Sequence, residues 1–149
     1  MAERLKATPE ILEVCKEALE QSQVIAVPTE TVYGLAANAL DLSAVEKIFK
    51  IKQRPFYDPL ILHIDSIEKA QLFCQFNSLA EQLAKFFWPG PLTLVLKKKP
   101  IVPDLVTANL DSVAIRSPQH PIFQKLLKIL PFPLAAPSAN PFGYISPTS

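Results

Sequence analysis

Apolar and polar positions along the chain follow two periods, one helical and one alternating. Ile11, Leu12, Val14, Cys15, Ala18 and Leu19 fall on one face at helical spacing, and Thr8-Pro9-Glu10 ahead of them supplies an N-cap and a first-turn proline. The apolar run at residues 24–27 reads as a buried strand, and it leads straight into Pro28-Thr29-Glu30-Thr31-Val32-Tyr33-Gly34-Leu35. Ser43-Ala44-Val45-Glu46 has the form of a capping box, which predicts a helix that turns Val45, Ile48 and Phe49 to the core. Its end is expected near Lys52, because Arg54 precedes Pro55 and is biased out of helical geometry.

The second half repeats the scheme. Residues 60–64 read as a strand, and residues 66–76 and 78–87 as two amphipathic helices, the second opened by the capping box Ser78-Leu79-Ala80-Glu81. Trp88-Pro89-Gly90-Pro91 is a rigid turn into a strand at 92–96, and Trp88 is read as a packing residue. A strand at 112–116 ends in Arg116, a helix is expected over 121–130, and a strand at 134–136 delivers Pro137-Ser138-Ala139-Asn140 to the edge where the Pro28–Leu35 loop begins. Alternating strands and helices predict an α/β fold with antiparallel pairing near the 88–91 turn. The whole chain, 1–149, is expected to form one domain.

Composition narrows the class. With 49% hydrophobic and 19% charged residues the chain is globular, and a formal charge of +1 leaves no overall basic footprint, so a polyanion would need a local patch. Cys15 and Cys74 lie in separate helical segments and read as buried thiols of a reducing compartment. The charged start Met1-Ala2-Glu3-Arg4-Leu5-Lys6 is unlike a signal or transit peptide, and no apolar run approaches the roughly 18 residues of a membrane span. A cytoplasmic protein without membrane contact is the expectation.

The residue inventory narrows the chemistry further. Gly34, Gly90 and Gly143 are the only glycines, and they form neither a dinucleotide fingerprint nor a P-loop. No G-x-S-x-G elbow and no metal-spaced Cys/His set is present, which argues against a covalent nucleophile and leaves the metal-ligand set empty. The polar loops offer Lys52, Arg54 and Arg116 with Thr31, Ser112, Ser138, Asn140 and Ser146. Cations among neutral hydrogen-bonders suit a site that grips and aligns anionic reactants. Lys50 reads as a solvated lysine at a helix C-terminus, whereas the Arg54 fork, fixed before a proline, suits phosphate or carboxylate.

Several of these stretches, in this order, resemble the YrdC-like threonylcarbamoyl-AMP synthases. The resemblance rests on Pro28 to Leu35, on Lys52-Gln53-Arg54-Pro55 followed by Pro59-Leu60-Ile61-Leu62-His63-Ile64, on Trp88-Pro89-Gly90-Pro91-Leu92-Thr93, and on Pro137 to Asn140 followed by Ser146-Pro147-Thr148-Ser149. It implies a twisted, mixed parallel and antiparallel open sheet flanked by helices. The implied reaction joins L-threonine, bicarbonate or CO2, and ATP into threonylcarbamoyl-AMP and pyrophosphate. By the same resemblance Thr31, His63 and Arg116 would hold threonine. Arg54, Asp58, Ser112, Ala136, Ser138, Asn140 and Ser146 would hold ATP, Ala136 through its backbone, and Lys52 with Arg54 would act on the phosphates. Mg²⁺ is implied as the companion of ATP, and a tRNA threonylcarbamoyl-transferase complex as the downstream partner.

The chain departs from the family pattern in places. Asp58 stands where asparagine is usual, Ala36 and Asn38 replace a glycine and an aspartate, and Phe142 replaces a small residue. Family domains continue with further strands beyond the Ser146–Ser149 motif, so those strands are expected to be missing. The alternative reading is a non-catalytic module for tRNA or double-stranded RNA, with Lys97-Lys98-Lys99 and the Lys52/Arg54 cluster on phosphates. The lysine run by itself reads as a solvated strand exit. A carbamoyl-transfer domain of the hydrogenase-maturation type would share the fold, but its zinc-binding segment has no counterpart here.

Overall fold

The computed structural model describes residues 4–139, so Asn140, Phe142 and Ser146 lie outside the described residues. In chain order the elements are α1 (Pro9–Glu20), β1 (Ile25–Val27), β2 (Gly34–Asn38), α2 (Leu42–Lys52), β3 (Ile61–His63), α3 (Ile67–Ala70), α4 (Ser78–Phe87), β4 (Thr93–Lys97), β5 (Ser112–Arg116), α5 (Pro121–Ile129) and β6 (Leu134–Ala135). The strands form one mixed sheet in the order β1-β2-β6-β3-β5-β4. β3 and β5 pair in parallel, with His63 opposite Arg116, while every other neighbouring pair is antiparallel.

Alternation along the strands gives the sheet two unlike faces. Ala37, Ala135, Leu62, Val113, Ile115 and Leu94 point to one side and pack with Val45, Ile48 and Phe49 of α2 and with Ala80 and Ala84 of α4. Val27, Ala36, Leu134 and Ala136 point to the other and meet Leu12 and Leu19 of α1 and Phe123, Leu126 and Leu127 of α5. Each large apolar side chain buried in this way contributes about 1.5–3 kcal/mol. α1 and α5 cover the β1-β2-β6 half of that second face, and α5 reaches over the end of β3, where Phe123 lies against His63. On β3, β5 and β4 the same face carries Ile61 and His63, Ser112, Ala114 and Arg116, and Val95, the last of which is 66% exposed. An uncovered sheet face beside a covered one is where the site forms.

Local signals explain the helix ends and correct several expectations. Thr8 caps α1 as predicted, its hydroxyl accepting from the Ile11 amide at 3.3 Å, although Val14 is exposed. Ser43 and Ser78 do not cap α2 and α4. The cap of α2 lies two residues earlier and that of α4 one residue earlier, where a stronger side-chain acceptor stands in extended backbone: Asp41 takes the Ser43 amide at 3.0 Å, and Asn77 takes the Ala80 amide at 2.8 Å. The helix expected at 66–76 stops at Ala70, because the chain then turns to pair with the end of β4. The Gln75 amide donates to the Lys97 carbonyl and the Lys99 amide to that of Phe73, both at 2.8 Å.

Those pairings also fix the lysine run, which is less solvated than expected. Lys98 Nζ lies 2.7 Å from Asp104 Oδ1 and 2.8 Å from the Val102 carbonyl, and Lys99 Nζ donates to the Gln71 carbonyl at 2.6 Å. Cys74 is buried and Cys15 half-buried, both as free thiols. Trp88 packs at 6.2 Å edge-on to Phe76 and donates from Nε1 to the Leu92 carbonyl. At the turn after it, a Cβ on Gly90 would stand 2.4 Å from the Phe87 carbonyl oxygen, so glycine is the residue that fits.

Candidate active site

The loop after β1 is shaped by its own side chains. Thr29 Oγ1 accepts from the amides of Thr31 and Val32 at 3.3 and 3.2 Å and donates to the Val32 carbonyl, which folds residues 29–32 into a tight hydroxyl-centred turn. The loop is then joined to the segment after β6: the Leu35 amide donates to the Pro137 carbonyl at 2.7 Å and the Ala139 amide to the Tyr33 carbonyl at 2.8 Å. A Cβ on Gly34 would touch the Ala136 and Pro137 carbonyl oxygens at 3.5 Å, so the two backbones run in close contact. Two stretches about a hundred residues apart thereby make one wall.

Between this wall and the uncovered strands lies a cleft of about 170 Å³. Thr31, His63, Arg116, Ala136 and Ser138 line it, together with Glu30 and Tyr33. His63 and Arg116 are brought in by the carboxyl ends of the parallel pair, and the exit of β6 runs antiparallel to β3 alongside them. Ser138 thus sits further toward the start of β3 than His63 does. At that level Lys52, 2% exposed at the end of α2, donates from Nζ to the Ser138 carbonyl at 2.6 Å. Arg54 braces the following loop, with Nη2 at 2.8 Å from the Pro59 carbonyl and 3.1 Å from Asp58 Oδ2, and Nε at 3.3 Å from the Asp58 carbonyl.

The predicted residues therefore fall in two groups. Thr31, His63 and Arg116 share the cleft at the carboxyl ends of β3 and β5. Lys52, Arg54 and Asp58 stand toward the start of β3, and Ser112 opens β5 on the same face as Arg116, about 13 Å away at the usual strand rise. Ser138 links the groups, and Ser112 is not among the residues that line the cleft. The Asp58 carboxylate, which stands where the family usually has asparagine, is occupied by Arg54. Sequence reasoning left out Glu30 and Phe123. Glu30 was visible as the one acid within the loop motif, whereas nothing in the helical stripe of α5 distinguished Phe123.

Electrostatics differ between the two groups. Burial, and then the neighbouring Arg54 charge, push the Lys52 ammonium below its usual pKa, with Asp58 opposing. Burial works to raise the pKa of Glu30, but the Gln119 amide, its own amide, Arg116 and His63 outweigh it and hold the carboxyl below the usual range. His63 is buried and stacks on Phe123 with ring centroids 5.2 Å apart at 24°. Burial, followed by the Arg116 charge, lowers it from 6.5 to about 4 against contrary pulls from Ile61, Leu134 and Glu30. It is neutral at pH 7.

A neutral buried histidine predicts acid sensitivity. The unfolded chain takes up the His63 proton near pH 6.5 and the folded one only near 4, so its contribution is whole above 6.5 and lost progressively down to 4. That loss amounts to about 3 kcal/mol at 1.36 kcal/mol per pKa unit. Urea unfolding at pH 7.5, 5.5 and 4.5 should show it, and a His63→Gln variant should lose most of that slope. An unaltered slope would mean that other groups carry the acid response.

A protein cage for Mg²⁺ does not fit this donor set. Among the described residues no three His, Cys, Asp or Glu side chains converge, and the carboxylate beside Lys52 and Arg54 is already paired. Among the same residues no helix is long and apolar enough to cross a membrane.

Comparison with known proteins finds relatives for this sequence and fold. The Sua5/YciO/YrdC family model, described as telomere recombination, matches residues 17–149. The threonylcarbamoyl-AMP synthase of Pyrococcus abyssi is 52% identical over 132 residues, which are 88% of this chain and 39% of that protein. The enzyme of the same name from Bacillus subtilis is 48% identical over 87% of this chain and 38% of its own. The crystal structure of P. abyssi Sua5 complexed with L-threonine superposes with a TM-score of 0.91 at 48% identity, covering 99% of this chain and 43% of that one. The chain thus spans about two fifths of the length of these relatives.

Proposed function

Because this chain belongs to the Sua5/YciO/YrdC family, we propose that it carries out the nucleotidyl transfer of an L-threonylcarbamoyladenylate synthase. The observation that carries the reading is the meeting of two groups of residues at Ser138, one lining the cleft and one behind its wall. Thr31, His63 and Arg116 form the first, and Lys52 and Arg54 the second.

In this reading Arg116 takes the carboxylate of threonine and the neutral His63 packs beside it without adding charge. The threonine amine, once deprotonated, bonds to CO2 and releases its second proton to solvent, which gives a carbamate. A carbamate oxygen then attacks the α-phosphorus of ATP, the bond to the β-phosphate bridging oxygen breaks, and pyrophosphate departs with the electron pair. Two anions must be held together for this. In this reading Lys52 and Arg54 would offset their repulsion through charge-assisted hydrogen bonds worth about 1.5–3 kcal/mol each. Arg54, Asp58, Ala136 and Ser138 would embrace the nucleotide, with Ser112, Asn140 and Ser146 completing its contacts. The product would pass to a tRNA threonylcarbamoyl-transferase complex in the cytoplasm.

The RNA-binding alternative draws less support, since Lys98 and Lys99 are engaged within the fold. Pyrophosphate release from ATP should require L-threonine and bicarbonate together. Release that ignores either co-substrate would contradict the synthase reading, and salt-sensitive RNA binding without ATP or threonine binding would favour the alternative.

A further inference from the structure

Of the residues that line the cleft, Glu30 and Arg116 are the charged ones; His63 is neutral there. They face each other directly, with Arg116 Nη2 at 3.3 Å from Glu30 Oε2, and their side chains are 22% and 20% exposed. The other carboxylate oxygen, Oε1, accepts from the Gln119 amide just after β5, which fixes Glu30 across the mouth of the cleft. The pair joins the loop after β1 to the end of β5, far apart in the chain, so its place is set by tertiary structure. Among the described residues that line the cleft, no other carries a charge. Lys52 stands behind Ser138.

We infer that Glu30 is the selectivity residue at the amino-acid end of the cleft, forming with Arg116 a fixed anion–cation couple that accepts a zwitterionic α-amino acid and turns away simple anions. Donor and acceptor counts allow it. Guanidinium has five donors, and Arg116 Nε is buried with no hydrogen-bond partner among the described residues, so donor capacity remains beside the contact to Glu30. Glu30 accepts from Arg116 at Oε2 and from the Gln119 amide at Oε1, and even with its own amide as a third donor the four lone-pair sites of a carboxylate leave room for an ammonium group. Ammonium and carboxylate on one α-carbon are as close together as the charges of this couple.

Charge balance supplies the discrimination. Arg116 by itself would attract any carboxylate, bicarbonate or stray phosphate, including the triphosphate due at Lys52 and Arg54. With Glu30 beside it, an anion that lacks an ammonium meets a half-buried carboxylate with nothing to offer it. A site built to pair a group rejects the analogue that lacks it. The two groups then differ in kind: a neutral dipolar couple in the cleft for the amino acid, and the cations Lys52 and Arg54 beyond Ser138 for the nucleotide.

This inference rests on the threonine assignment made above, and calorimetric titration with three ligands separates the two. L-Threonine should bind the protein at least tenfold tighter than 3-hydroxybutyrate, which lacks the ammonium, and than L-threonine methyl ester, which lacks the carboxylate charge. In Glu30→Gln, threonine should lose at least tenfold while 3-hydroxybutyrate binds as well or better, with ATP affinity and melting temperature held as controls. If threonine binds but the ratio to 3-hydroxybutyrate is the same in both proteins, the role of Glu30 is overturned and the threonine assignment stands. Tighter binding of both ligands in Glu30→Gln would make Glu30 a mere competitor for Arg116 and also overturn it. Should the variant not fold, equal binding of threonine and 3-hydroxybutyrate by the unaltered protein decides against the inference. No threonine binding at all would remove the assignment beneath it.

Discussion

Lys52→Met is expected to lower pyrophosphate release at least a hundredfold, or about 2.7 kcal/mol of transition-state stabilisation. Methionine is unbranched and one atom shorter than lysine but fills most of the same buried space, so packing around α2 should survive. What disappears is the ammonium whose Nζ meets the Ser138 carbonyl at 2.6 Å. Burial already disfavours that charge, and a cation held against such a penalty is poised to gain from an arriving phosphate. Leaving the carbonyl with one donor fewer should cost about 1–3 kcal/mol in stability. Single-turnover assays with thermal melting would separate these effects. A variant that melts earlier yet keeps its turnover within threefold would show Lys52 to be a structural brace.

Phe123→Ala should reduce stability by about 3–5 kcal/mol, the usual range for removing a buried aromatic. Phe123 is fully buried and sits where α5 meets both α1 and the sheet, in the smaller of the two cores. It also backs the His63 ring at 5.2 Å, so the truncation opens a cavity behind a cleft residue. Threonine affinity should fall with stability, and the acid sensitivity assigned to His63 should weaken as water reaches the imidazole. Urea unfolding of Phe123→Ala beside Phe123→Leu would test this. Leucine restores much of the volume, so equal losses in the two variants would rule out cavity formation as the cause.

Some elements were legible because a local signal outweighed everything else. α1 carries its cap, its first-turn proline and one apolar stripe, and it forms where those signals place it. α5 and β5 also stand close to their expected bounds. β2 was not legible: Gly-Leu-Ala-Ala-Asn has little strand propensity, and it becomes a strand because β1 and β6 flank it and supply hydrogen-bond partners. The helix expected to reach residue 76 ended early for a similar reason, since pairing with β4 offered the backbone of Phe73 and Gln75 better-placed partners than another helical turn. The caps of α2 and α4 moved by one or two residues because two acceptors competed at each end and the one in extended backbone won.

The site divides along the same line. Residue types and their order along the chain were enough to mark the loop at 28–35, Lys52 with Arg54, His63, Arg116 and the segment after β6 as polar groups at strand and helix ends, because that depends only on local periodicity and turn chemistry. Which of them meet is a matter of register. The parallel pairing of β3 with β5 sets His63 beside Arg116, and the antiparallel run of β6 carries Ser138 toward Lys52. The couple between Glu30 and Arg116 spans 86 positions, and no local pattern encodes a contact of that range. The chain by itself determined the chemistry on offer; packing α1 and α5 over only half of one sheet face decided where that chemistry is left open to a ligand.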